Sequence, residues 1–291
     1  MKDKFMALGR CLFYCFCYIA VQAVLAMAVS IYISVVYGAV LWTRGAAAGD
    51  IGRGLSSLLM NHMSYIFLIV NPLVLAFFLL VFYKARKTAV HKADFTGLRV
   101  NVLVLAAACG VLLNTFFSSF MPFLHLPSNT SALLDSMQKN DLPVSIAALA
   151  LITPVLEEVI FRGYIFNRLR RSFNSAAAVI LIQALLFGLE HLDPQQSFYA
   201  FFLGLVMGVV YYKTGKLAYT IILHMAFNVF SYVISYMPGA DSLSDAASFA
   251  LSAASLALFA LVFFVLIRIM RTSPKPITPV LLEEAEAAEE L

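Results

Sequence analysis

Charge is what this chain has least of. Only 12% of its 291 residues are Asp, Glu, Lys or Arg, against 62% hydrophobic, and the mean hydropathy is +0.88. A water-soluble domain cannot bury so large an apolar fraction, which excludes that class and leaves a polytopic, all-α membrane protein. Cysteine is scarce too. The four present (Cys11, Cys15, Cys17, Cys109) sit in apolar runs without metal-ligand spacing and read as small apolar packers. There is no H-E-x-x-H pair, no Gly-rich phosphate loop and no internal repeat. Nothing marks a nucleic-acid footprint, because membrane topology accounts for the basic loops.

What is present is a series of long apolar runs. A basic N-terminus leads into a run from Cys11 to Trp42, too long for the core of a cleaved signal peptide, so it reads as a retained anchor. Eight apolar segments follow one another at about 12–42, 64–83, 100–123, 144–161, 175–191, 197–212, 217–237 and 247–270. Each is long enough, or nearly so, for a hydrocarbon core of about 30 Å at about 1.5 Å per residue. With the N-terminus inside, seventeen Lys and Arg fall in the cytoplasmic segments and three in the outside loops. That asymmetry predicts eight crossings with both termini cytoplasmic, in the cell membrane. Beyond 270, prolines 274, 276 and 279 predict an extended linker and then a solvated acidic tail.

Ionisable residues inside membrane helices are costly and usually functional. Here they concentrate in the fourth, fifth and seventh segments: Glu157, Glu158, Arg162, Glu190, His191, His224 and Asn228 with its amide. In "LEEVIFRG", Glu158 and Arg162 are four apart and can pair, while Glu157 is turned about 100° away. One carboxylate is thereby neutralised and its neighbour is left to work; the plainer alternative is a helix end whose charges reach for water. In "FGLEH", the Phe187 ring can pack on His191 and fix it. In "HMAFN", His224 and Asn228 offer two donors on one face, suited to an oxyanion. For both histidines the plainer alternative is an interhelical hydrogen bond. No role is read for Glu190.

Glu-Glu-x-x-x-Arg, then Phe-x-x-x-His, then His-x-x-x-Asn, in order on successive apolar helices, resembles the CAAX-protease and bacteriocin-processing family of intramembrane endopeptidases. The resemblance covers about 144–235. It implies three helices over 1–143, a catalytic core over 144–237, and a last helix and tail over 238–291. It further implies that Glu157 with His191 activates a water, that His224 and Asn228 form an oxyanion hole, and that Glu158 and Arg162 support the first carboxylate. Its substrate would be a membrane-associated or lipid-anchored peptide within the lipid bilayer, and no cofactor is expected. Two other readings stay open. One is a zinc enzyme with metal on Glu157, His191 and His224. The other is a non-catalytic membrane partner, such as a bacteriocin-immunity factor or a scaffold. A transporter would need symmetric, broken helices, which the sequence lacks.

Overall fold

The computed structural model of the chain describes residues 2–130, 141–238 and 243–270, and every regular element among them is helical. In chain order α1 is Lys2–Thr43, α2 Ala48–Asn61, α3 Met63–Val81 and α4 Val100–Leu124. Then come α5 at Leu142–Ser172, α6 at Ala176–Leu189, α7 at Pro194–Thr214, α8 at Leu217–Ser235 and α9 at Asp245–Ile269. All but α2 and α6 are long and apolar enough to cross a membrane, which makes this a multi-pass membrane protein. The expected linker and acidic tail lie outside the described residues.

Three expectations need correction. The segment expected at 175–191 is the 14-residue α6, about 21 Å long and short of a hydrocarbon core. The connection expected at 162–174 is helical as far as Ser172, and Arg162, counted there as a loop cation, is fully buried. Helix α2 is additional; Gly49, Gly52 and Gly54 interrupt its apolar pattern, so its sequence reads as a connection.

Helix α5 is the axis of the bundle. Its residues from Leu156 to Phe166 are all buried, and α1, α3, α6, α7 and α8 pack around it. It is not a uniform α-helix: Ile146–Ile152 and Val159–Phe166 take π-helical turns on either side of Thr153–Glu158. Pro154, with no N–H to give to carbonyls one turn back, lies at this change of pitch. Helices α6 and α7 form an antiparallel hairpin in which Gly204 packs against Ala184 and Phe187, and Gly208 against Gln183. Gly215, at φ 60°, ends α7 in the left-handed conformation and turns the chain directly into α8.

Helices α4 and α8 meet at Gly110, where an added Cβ would collide with the Leu223 carbonyl and lie 2.9 Å from the Phe227 N. Both neighbours are backbone and cannot swing away. Gly110→Ala should therefore lower thermal stability in detergent by about 1–3 kcal/mol, the usual range for overpacking. Gly52→Ala, with nothing within 4 Å of the new methyl, should leave it unchanged or slightly raised. Equal melting shifts for the two would contradict this account of the α4–α8 contact.

Candidate active site

The site begins with an ion pair that has no exposed surface. Arg162 Nη1 donates to Glu158 Oε1 at 2.8 Å, and both side chains are 0% exposed. Nη2 donates to the Gly204 carbonyl at 3.4 Å, and the group lies 4.6 Å from the centre of the Phe187 ring, while Nε has no hydrogen-bond partner among the described residues. Gln183 Nε2 donates to the same carbonyl at 2.8 Å, tying α6 to α7 beside the pair. The predicted i, i+4 pairing is thus present, on a helix wound more loosely than the ideal.

Glu157 faces differently. It forms one wall of a cavity of about 390 Å³ bounded by α4, α5, α7 and α8. Its two oxygens have only long contacts: Tyr18 Oη donates to Oε1 at 3.4 Å, and His224 Nε2 lies 3.6 Å from Oε2. The other nitrogen of His224, Nδ1, is 3.1 Å from Glu158 Oε1. His224 therefore bridges the two neighbouring carboxylates. One turn on, Asn228 Nδ2 donates to the Leu149 carbonyl at 3.0 Å, in the π-helical stretch before Pro154. Its second amide N–H is left for the cavity that Asn228 also lines.

His191 completes the wall. Its Nδ1 lies 2.8 Å from the Phe187 carbonyl, and since a carbonyl can only accept, Nδ1 carries the proton and Nε2 is the free nitrogen of the neutral ring. The Phe187 ring stands edge-on to both imidazoles, with centroids 5.3 Å from His191 and 5.7 Å from His224. It packs on His191 as the spacing predicted, and it also touches the other histidine and the arginine. Glu190, which had no role in the sequence, reaches the same place. One ligand atom each from Glu157, Glu190 and His191 lie within 4.8 Å of one another. A single water or a cation can bridge groups at that separation. Glu190 thus joins Glu157 and His191 in one cluster, and His224 Nε2 lies 3.6 Å from Glu157 Oε2 beside it.

All seven motif residues converge. Other polar groups around them carry no motif spacing and are not disclosed by it. Asn71 in "LIVNPLV" accepts from Gln22 at 3.0 Å and donates to Thr153 Oγ1 at 2.7 Å, so α1, α3 and α5 are joined beside the site. A neutral amide within an apolar run was the available signal. Asp193 caps α7 through Gln196 N at 2.9 Å and also accepts from Ser128, Asn129 and Thr130. Burial works to raise its pKa, but these hydrogen bonds outweigh it and hold the carboxyl below its ordinary value. Its contribution to stability is therefore present above the ordinary carboxylate range and lost as the pH falls through the lowered value.

Set against known proteins, the same stretch of chain stands out. Residues 139–230 match the Rce1-like model, described as type II CAAX prenyl endopeptidase. Every motif residue falls inside that match. The chain is 31% identical over 110 residues to the putative membrane peptidase YdiL of Bacillus subtilis (strain 168), covering 38% of this chain and 44% of that protein. It is 32% identical over 114 residues to the membrane-embedded CAAX protease MroQ of Staphylococcus aureus (strain USA300), covering 38% and 45%. The chain thus spans less than half the length of these relatives. No solved structure matches it.

The geometry assigns different costs to the two adjacent carboxylates. Glu158→Gln should destabilise the protein in detergent by about 3–5 kcal/mol, because it strands the Arg162 charge in the interior. Glu157→Gln removes only contacts of 3.4 and 3.6 Å and should cost about 1 kcal/mol or less. Indistinguishable melting temperatures would contradict this division.

Proposed function

We propose that the chain is an intramembrane endopeptidase in which Glu157 and His191 activate a water for hydrolysis of a peptide bond in a membrane-anchored substrate. The observation that carries this reading is the pairing of a cavity-facing Glu157 and the free nitrogen of His191, beside a Glu158 already committed to Arg162. A water held between Glu157 and His191 gives up a proton as its oxygen attacks the carbonyl carbon. The developing oxyanion is met by His224 Nε2–H and the second N–H of Asn228. With Nδ1 donating to Glu158, such donation requires His224 to carry both protons. The tetrahedral species collapses with cleavage of the C–N bond, the leaving nitrogen takes the proton, and the products are a carboxyl and an amine terminus. Tyr18 steadies Glu157, and Asn228 keeps α8 in register with the π-turn through the Leu149 carbonyl.

A comparison of membrane-associated peptides from cells carrying the wild-type chain or Glu157→Gln tests the reading. Processed fragments should disappear in the variant while the protein remains inserted; an unchanged peptide inventory would refute it. With a substrate in hand, Asn228→Ala should lower kcat by about 10²–10³, the usual loss for one oxyanion donor, with little change in KM.

A second reading has its own observation. Two carboxylates and an imidazole within 4.8 Å hold a divalent cation readily, and such a cation would supply a water of low pKa. The first reading expects hydrolysis to survive strong chelators. Inactivation by chelators that added zinc reverses, with the effect lost in Glu190→Gln, would promote the second.

A further inference from the structure

The cavity and the cations lie at opposite ends of the bundle. The basic residues are tied to one another's connections by direct contacts. Lys4 lies over the Phe173 ring and Arg170 over the Tyr212 ring. Lys216 Nζ donates to the Thr96 carbonyl, Lys213 Nζ to that of Ile267, and Arg99 to that of Ile269. The start of α1, the segment after α3, the α5–α6 and α7–α8 turns and the end of α9 therefore share one end. The opposite end is tied together separately. Asp193 accepts from Ser128 and Thr130, Tyr65 donates to Asp141, Ser64 meets Ser145, and Tyr232 donates to the Ser145 carbonyl. The turn between α6 and α7 there carries no cation.

From Glu157 and His224 the cavity runs toward this second end only. Along α8 its wall passes from Asn228 to Ser231, along α4 from Asn114 to Ser118, and along α5 back to Leu149. Gln195 and Gln196, at the start of α7, also line it, and no residue of the basic end contributes to the lining. The wall is polar on three helices and includes the exposed Ser118. Cations are retained on the cytoplasmic side of membrane proteins. Excluding the buried Arg162, sixteen Lys and Arg belong to the basic end or its continuation in sequence, against three on the other connections.

We infer that the active-site cavity opens to the extracytoplasmic side, and that the substrate is a membrane-anchored polypeptide whose scissile bond is presented from the outer half of the bilayer. A cytoplasmic tail is thereby excluded as substrate. The inference rests on the endopeptidase reading for its substrate and, for its side, on the direction of the cavity together with the charge asymmetry.

Single cysteines test the side without reference to activity. In a chain whose four native cysteines are replaced by alanine, Ser231→Cys samples the cavity wall, Leu192→Cys the α6–α7 turn and Asn174→Cys the basic end. A membrane-impermeant maleimide added to intact cells should label Ser231→Cys and Leu192→Cys and leave Asn174→Cys unlabelled. Inside-out vesicles should give the reverse. Labelling of Ser231→Cys only from inside-out vesicles, or from neither side, would overturn the inference, as would labelling of Leu192→Cys and Asn174→Cys from one side. Failure of the endopeptidase reading would look different. The peptide inventory of Glu157→Gln cells would match wild type while the labelling pattern stood.

Discussion

The buried pair of Glu158 and Arg162 is the constraint around which the site is arranged. Neither side chain has exposed surface, so neither charge can be relieved by water, and each must be met by protein. The Gly204 carbonyl, the Phe187 ring and His224 Nδ1 are drawn in to meet them. Because these partners belong to α5, α6, α7 and α8, satisfying one ion pair fixes four helices relative to one another. It also orients His224, whose second nitrogen then faces Glu157. The chemistry attributed to Glu157 depends on the charge of its neighbour being paired with Arg162.

The π-turns of α5 serve the same end. The Leu149 carbonyl, five residues before the N–H that Pro154 lacks, accepts from Asn228, while the Ala148 carbonyl accepts both the N–H and the Oγ1 of Thr153. One helix thus carries a neutral tie on the side toward the cavity mouth and a charged tie on the other, with Glu157 between. The cavity wall carries polar groups on α4, α5 and α8 beside the rings of Phe117, Phe187 and Phe227.

Much of this was legible in the sequence, for a physical reason. Local spacings such as Glu158–Arg162 and Phe187–His191 are set by helical geometry alone and hold as read. Most apolar runs give helices within a few residues of their predicted bounds; α1 begins ten residues earlier and α5 runs on to Ser172, because charged residues at Lys2–Arg10 and Arg162–Arg171 continue the helices beyond the apolar pattern. Glu190, the C-cap residue of α6, reaches the site beside His191, and neither residue's spacing to the other motifs discloses it. What spacing does not encode is contact between distant segments. Tyr18 on Glu157, Asn228 on Leu149, and Asp193 under residues 128–130 each join positions more than 60 residues apart. The change of helical pitch at Pro154 depends on the surrounding helices as well, so the proline alone does not disclose it.

Thermal unfolding in detergent of Glu158→Gln, Arg162→Met and the variant carrying both changes tests the central claim most directly. If the cost of each single change is the stranding of a buried charge, the double variant should be more stable than either single one, because no uncompensated charge remains. A double variant destabilised by the sum of the single effects would show that the two residues act independently, and the account of the site built on their pairing would fall.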